Sequence, residues 1–244
     1  MFRLTLLAIL FGTLPLSAQN IVLESIGYLV PTHRVEVFTR VPGQVTELPI
    51  VEGQRLKKGD VLARLQVAPY QIDMQRADAQ VIVTEARLQQ VMNAGNAITA
   101  TEKASAKSLH LRAEADRDMA KYRLDATTIR APIDGTILTI GTQVGGTARN
   151  DGMQAAPICV IADLTQMEVE VDIPERDIRK IRVGQLCQVI VNISPEETLK
   201  GEVARVIPQA NRAKGTIPVR VKFELGKRML IPDLTAVVSF QAIN

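Results

Sequence analysis

The chain carries one glycine pattern twice, with a long helical stretch between the copies. The first copy reads Val41-Pro42-Gly43-Gln44-Val45, then Gly53, then Lys57-Lys58-Gly59-Asp60-Val61-Leu62. The second reads Ala131-Pro132-Ile133-Asp134-Gly135-Thr136-Ile137, then Gly145, then Pro157-Ile158-Cys159. Gly43 matches Gly135, Val45 matches Ile137 and Gly53 matches Gly145 at one constant separation. That separation lengthens by five residues before Val61-Leu62 meets Ile158-Cys159, which predicts a small loop insertion near residues 149–153 of the second copy. Each copy reads as glycine turn, short valine-rich strand, glycine turn, strand, with Gly43, Gly53, Gly59, Gly135 and Gly145 as the turn residues. Neither copy buries its apolar face alone, so the two are expected to pair face to face as one small β-sandwich.

The stretch between the copies has helical period. Tyr70, Met74, Ala77, Val81, Thr84, Leu88 and Val91 follow a 4-3-4-3 spacing, the heptad seam of a coiled coil. Pro69 suits a first helical turn, where its missing N–H costs nothing, and Gly95 is a natural stop. Thr99 and Glu102 form a capping box that opens a second helix, expected to reach about Leu124. Its weaker seam is read at Ala104, Leu111, Ala115, Met119 and Tyr122. Two helices of equal length joined by a few residues make an antiparallel hairpin, which returns the chain to its base where the second glycine copy begins. The small residues Ala100, Ala104, Ala106, Ala113 and Ala120 suit close approach of neighbouring hairpins or of a docking partner.

After Ala162 the texture changes. Residues 167–173 alternate strictly as a half-buried strand, and Pro174 opens a short helix that ends by Gly184. Strands follow at 186–193, 202–207, 217–223 and 236–240, separated by Pro, Gly, Asn and Ser, a spacing that suggests a small antiparallel barrel. The fold class is therefore mainly β with an α-helical hairpin. Its predicted order is a signal peptide at 1–18, a strand at 19–33 that joins the barrel, half-sandwiches at 34–67 and 127–163 around a hairpin at 68–126, and a barrel at 164–244.

Residues 1–19 carry Arg3, an apolar run from Leu4 to Leu16 and a small-residue cleavage site at Leu16-Ser17-Ala18. The run is about 13 residues where a span needs roughly 20. A cleaved leader is expected, and with it an exported protein. The 29 basic and 26 acidic residues are interspersed, with no basic face for a nucleic acid. Tryptophan is absent and aromatics make up 3% of the chain, which argues against a stacking platform for bases or sugars.

Gly43-Gln44-Val45, Val51-Glu52-Gly53, the run from Leu56 to Leu62, the helical hairpin, the run from Ile129 to Ile137 and the Gly141 to Gly145 segment together resemble the periplasmic adaptor, or membrane fusion, family of tripartite exporters. The resemblance covers residues 21–244. It implies a lipoyl-like domain split by the hairpin and followed by a β-barrel. It also implies a periplasmic location, a homo-oligomeric ring, an inner-membrane transporter as partner and an outer-membrane channel as a further one. Many members carry a fourth, membrane-proximal β-domain, whereas residue 244 falls where the barrel closes. The hairpin tip, at 92–99, also lacks the family's Arg-x3-Leu-x6-Ser pattern: Arg87 is followed by Val91 and Ile98 at those spacings. Docking at the tip is expected to use Gln89, Met92, Asn93, Asn96 and Ile98, a neutral amide-and-methionine surface. The bland reading of the same residues is a turn built from turn formers.

No catalytic, cofactor or metal site is predicted. A lipoyl or biotinyl carrier presents its modified lysine at the junction of its halves, and here that junction is helix, while Lys57 and Lys58 lie inside the first half. His33 and His110 are far apart, and His110 is read as having no ligand at i, i+4. Cys159 and Cys187 lie in apolar strand contexts, either as two small buried hydrophobes or as a disulfide. Two rivals to the adaptor reading remain: a carrier domain with an appended barrel, and a periplasmic scaffold that serves no transporter.

Overall fold

The computed structural model describes residues 21–95, 99–149, 156–193, 195–224 and 230–242. The expected leader lies outside these residues, as does most of the predicted loop insertion. The chain forms two compact units, Pro31–Gln166 and a second made of Met1–Val30 with Met167–Asn244.

In chain order the strands are β1 (Ile21–Pro31), β2 (Arg34–Val37), β3 (Gly43–Glu47), β4 (Arg55–Leu56) and β5 (Val61–Leu65), followed after the hairpin by β6 (Thr128–Arg130), β7 (Gly135–Ile140), β8 (Thr147–Ala148) and β9 (Cys159–Ala162). Eight of them build two four-stranded sheets, ordered β2-β9-β7-β4 and β6-β5-β3-β8. The predicted face-to-face pairing of intact halves needs correction, because the halves interleave. β4 of the first copy hydrogen-bonds to β7 of the second, and β8 of the second to β3 of the first. Exchanging β2 with β6, β3 with β7, β4 with β8 and β5 with β9 converts one sheet order into the other, so the sandwich has a pseudo-twofold axis. Backbone bonds repeat under it: Gly53 N–H donates to Ile137 O at 2.9 Å, and its counterpart Gly145 N–H donates to Val45 O at 2.8 Å. The core is formed by Val45, Leu62, Leu65, Ile137, Ile158 and Ile161, each at most 1% exposed. Burying each contributes about 1.5–3 kcal/mol, and every sheet draws on both copies, so neither copy holds a core of its own.

Three of the five expected turn glycines adopt left-handed backbone: Gly53 at φ 81°, Gly59 at 95° and Gly145 at 85°. Gly43 and Gly135 do not. They open β3 and β7, and what they provide is closeness: a Cβ on Gly135 would stand 2.7 Å from Ala162 O and 2.8 Å from Ile161 Cγ2. One on Gly43 would stand 3.3 Å from Leu65 Cβ.

Helices α1 (Ala68–Asn93) and α2 (Ala100–Asp125) are each 26 residues, about 39 Å long at 1.5 Å per residue. They leave the sandwich between β5 and β6, which pair with each other. On α1 the predicted seam holds, with Thr84 and Val91 buried and its other members half-buried. On α2 it does not. The buried residues are Ala106, Ala113 and Ala120, and the half-buried Lys103, His110, Arg117 and Leu124 complete their heptad. Leu111 is 54% exposed, Met119 and Tyr122 50% each, and Ala104 and Ala115 are exposed too. Thr84 Oγ1 meets His110 Nδ1 at 3.4 Å, which sets the register. By heptad spacing, Leu88, Val81 and Met74 then fall opposite Ala106, Ala113 and Ala120. Large residues of α1 fill the space that small residues of α2 leave, so these three alanines serve the hairpin itself and not a neighbour.

The barrel closes in the order β1-β10-β13-β12-β11-β14. Its further strands are β10 (Met167–Pro174), β11 (Leu186–Val191), β12 (Thr198–Val206), β13 (Thr216–Phe223) and β14 (Thr235–Gln241). β1 closes it against β14, from Ile21 opposite Gln241 to Tyr28 opposite Thr235. Val169, Val171 and Ile173 point inward at 0% exposure, while the alternate acids point outward into an ion-paired wall. Glu168 there takes two bonds from Arg205, at 2.9 and 2.8 Å, and Glu170 pairs with Arg220 at 2.5 Å. The short helix expected after Pro174 is a 3-10 helix, Glu175–Lys180, with acids first and bases last as the helix dipole favours.

Candidate functional site

Large apolar side chains are exposed on the hairpin and the sandwich, and on the barrel as well. At the tip, Gln89 and Asn93 are exposed and Met92 is 58% exposed. Asn96 and Ile98 lie outside the described residues. Gln89 Nε2 donates to Glu85 Oε1 at 3.4 Å, so part of its amide capacity is used along the helix. The start of α2 is fixed by the predicted capping box: Thr99 N–H donates to Glu102 Oε2 at 3.0 Å and Glu102 N–H to Thr99 Oγ1 at 3.2 Å. The Thr99 backbone N–H, with its hydroxyl, holds the Glu102 carboxyl below the usual range. That charge is committed to the cap.

Along the shaft, the residues expected in the seam of α2 form a second heptad stripe on its outer face: Ala104, Leu111, Ala115, Met119 and Tyr122. On α1, Ile72 (49% exposed), Ile82 (67%) and Val83 (63%) also face out. A two-helix hairpin needs one apolar stripe per helix, and these residues lie beyond that requirement. Periodicity located this stripe correctly in sequence but assigned it to the wrong contact.

At the hairpin base, a groove of about 540 Å³ opens between the edge strands β2 and β6. Val37 and Ile129 line it from the two sheets, and Phe38 and Tyr122 add aromatic rims. No motif announces the groove, because two strand edges and the end of α2 assemble it.

Chemistry-bearing residues are placed as follows. Cys159 and Cys187 are both free thiols and both buried. Burial pushes Cys159 up to about 11, and burial with the nearby Glu202 carboxylate pushes Cys187 up to about 12, so neither is a thiolate near neutral pH. His110 does have an acidic neighbour at i+4: its Nε2 lies 3.7 Å from Glu114 Oε1, which corrects the sequence reading. Among the described residues no group of three or more His, Cys, Asp or Glu side chains is placed to hold a metal. Lys57 and Lys58 sit at an exposed turn, with the Lys58 N–H held by Asp134 Oδ1 at 2.6 Å. Among the described residues no helix is long and apolar enough to cross a membrane.

Comparison with known proteins agrees with this architecture. Residues 33–162 match the family model of the RND MFP barrel-sandwich hybrid domain, and residues 168–244 match that of the CusB-like β-barrel domain. Among curated relatives, the multidrug resistance protein MdtA of Photorhabdus laumondii is 26% identical over 237 residues, covering 86% of this chain and 58% of MdtA. The chain thus spans little more than half the length of the curated relatives it matches. Among solved structures, a MacA-MexA chimeric protein carrying the Pseudomonas aeruginosa MexA α-hairpin superposes with a TM-score of 0.83 at 24% identity, covering 92% of this chain and 82% of the chimera. A membrane fusion protein of Streptococcus pneumoniae gives 0.76 at 14% identity, covering 91% and 100%.

Proposed function

Because the chain belongs to the RND membrane fusion protein family, we propose that it is a periplasmic adaptor that couples an inner-membrane transporter to an outer component of an efflux complex. The observation that carries this reading is the apolar heptad stripe on the outer face of α2. Leu111, Met119 and Tyr122 are at least half exposed on a helix whose own hairpin contact is already complete. Exposed apolar stripes of this length mark contact surfaces. Copies of the chain assemble laterally through them, and each copy carries its hairpin away from the sandwich as a spacer about 39 Å long. The tip, with Gln89, Met92 and Asn93, is the contact point for an outer-membrane channel, since flexible methionine and neutral amides suit end-on packing against a partner.

The role is structural. Energy for export comes from the transporter, and the adaptor contributes geometry and sealing. Residues 1–18 direct the chain to the periplasm, where it stays peripheral to the inner membrane through its partner. The test is complementation of a deletion strain challenged with compounds that the parent strain exports. The double change Leu111→Glu with Met119→Glu is expected to abolish tolerance while secretion and helicity stay normal, because both sites lie outside the intramolecular seam. Full tolerance in that variant would remove the main support for the reading.

A further inference from the structure

The two rims of the barrel differ in charge. At one rim, three contacts tie the strand ends together. Ile21 of β1 stands opposite Gln241 of β14, Gln185 Nε2 donates to Gln241 O at 2.7 Å, and Glu175 N–H donates to Gly215 O at 3.1 Å. The connections that meet there are residues 174–185, with four bases and two acids, and residues 207–215, with two bases and no acid. At the opposite rim, residues 192–197 carry two acids and no base, and residues 224–234 carry two of each. Half of the bases at the first rim are spent within the barrel: Arg176 and Lys180 share Asp177 at 3.4 and 2.8 Å, and Lys214 holds Asp172 at 2.9 Å. Arg179, Arg182 and Arg212 are exposed, and their guanidinium groups have no partner among the described residues. Apolar side chains share this rim, with Val183 66% exposed, Leu186 60% and Ile21 51%. Val183 sits in a tight turn closed by Gln185 N–H to Arg182 O at 3.1 Å, with Gly184 at φ 84°. Polar residues normally fill such a turn, and this valine contributes nothing to the barrel core.

We infer that this rim docks directly on a bilayer of anionic lipids. Val183, Leu186 and Ile21 enter the headgroup layer, and Arg179, Arg182 and Arg212 take lipid phosphates. Peripheral proteins bury apolar side chains to about 5–10 Å at the headgroup boundary and add to that the attraction of bases to anionic lipids. The planar guanidinium matches two phosphate oxygens at once, which suits arginine to this task better than lysine. Of the acids in the two connections, Asp177 is neutralised by its two bases, and Glu175 is left to oppose three free arginines. Sequence position agrees with this assignment. The apolar run Leu4–Leu16 of the expected leader ends four residues before Ile21, and four residues reach at most about 14 Å. The rim that begins with Ile21 is therefore the part of the fold delivered beside the membrane during export. The inference goes beyond the adaptor reading, in which the transporter alone holds the chain at the membrane, and rests on it for export of the chain to that surface.

Flotation of the full secreted chain with vesicles tests it. The chain is expected to bind vesicles of equal parts phosphatidylcholine and phosphatidylglycerol, to leave them in high salt, and to ignore phosphatidylcholine alone. Arg179→Gln with Arg182→Gln and Arg212→Gln should weaken binding at least about tenfold, since each base near an anionic surface contributes about fivefold. The sequence has no tryptophan, so Val183→Trp supplies a single reporter. Its emission should shift to the blue on the anionic vesicles and be quenched by brominated lipid chains. Ile231, 61% exposed, lies at the opposite rim, where Asp233 N–H donates to Leu29 O, and Ile231→Trp should show neither change. Equal binding to both kinds of vesicle, full binding by the arginine variant, or a blue shift in Ile231→Trp without one in Val183→Trp overturns the inference. Release by free glycerol phosphate would assign the arginines to a soluble phosphate and overturn it as well. So would no binding to any vesicle, which leaves the rim to an acidic protein surface. Leu111→Glu with Met119→Glu should bind vesicles as the wild type does while losing tolerance, so failure of the rim and failure of the adaptor reading are separate results.

Discussion

Gly135 and Gly145 each repeat a glycine of the first copy, Gly43 and Gly53, yet the structure gives them different physical reasons, and mutation separates the two. A Cβ at Gly145 meets nothing within 4 Å, but the residue holds φ 85°, where an L side chain costs about 1–2 kcal/mol. At Gly135 the backbone is ordinary strand, and the Cβ would approach Ala162 O to 2.7 Å and Ile161 Cγ2 to 2.8 Å. Ala162 belongs to β9, which is held between β2 and β7, so its carbonyl has little room to retreat. Forcing in one methyl group should cost about 1–3 kcal/mol. Alanine alone therefore does not distinguish the sites, but asparagine does. Asn tolerates left-handed backbone better than Ala, so Gly145→Asn should be less damaging than Gly145→Ala. Asn is larger and gains nothing at Gly135, so Gly135→Asn should be worse than Gly135→Ala. Urea unfolding followed by circular dichroism measures all four variants, with an unchanged slope showing that the shift is in stability. If asparagine and alanine rank the same way at both positions, the distinction between turn and close approach is wrong.

Three further predictions concern the hairpin and the thiols. Leu111→Lys and Met119→Lys should leave hairpin helicity intact, whereas Ala113→Leu should disrupt it by overpacking the seam, typically costing about 1–3 kcal/mol; thermal unfolding by circular dichroism ranks them. The Glu102 carboxyl is held below its ordinary value of 4.5, so the folded state binds its proton less readily than the unfolded one. The stabilisation it gives is therefore complete above pH 4.5 and disappears as pH falls through the lower folded value, which exchange of the Thr99 N–H that the carboxylate accepts should report and Glu102→Gln should abolish. A thiol reagent should label Cys159 and Cys187 at neutral pH only after unfolding, and the double alanine variant should melt a few degrees lower, on the order of the shift for ~1 kcal/mol; rapid labelling of the native protein would contradict their burial.

The parts of this fold that were readable from sequence are those fixed by local rules. Turn glycines at matched spacing, the Thr99–Glu102 cap and the large seam residues of α1 each leave a signal within a few residues of where they act. The seam of α2 misled because hydrophobicity and burial are opposed there: alanine, lysine, histidine and arginine face α1, and leucine, methionine and tyrosine face outward. The apolar stripe that periodicity picks out on α2 is therefore the exposed one. Interleaving of the two copies was hidden as well, since β4 and β8 are two residues each and their partners are distant in sequence. The groove between β2 and β6 exists only once the sheets are ordered. Gly43 and Gly135 look like turn glycines because sequence shows the absence of a side chain without showing which neighbour needs the space.

Purification from native membranes after mild cross-linking tests whether this chain bridges a transporter and an outer component. Several copies of the chain are expected to come away together with an integral inner-membrane transporter, and Leu111→Glu with Met119→Glu is expected to remove the assembly. Recovery of the chain alone, with no transporter under conditions that preserve other membrane complexes, would contradict it.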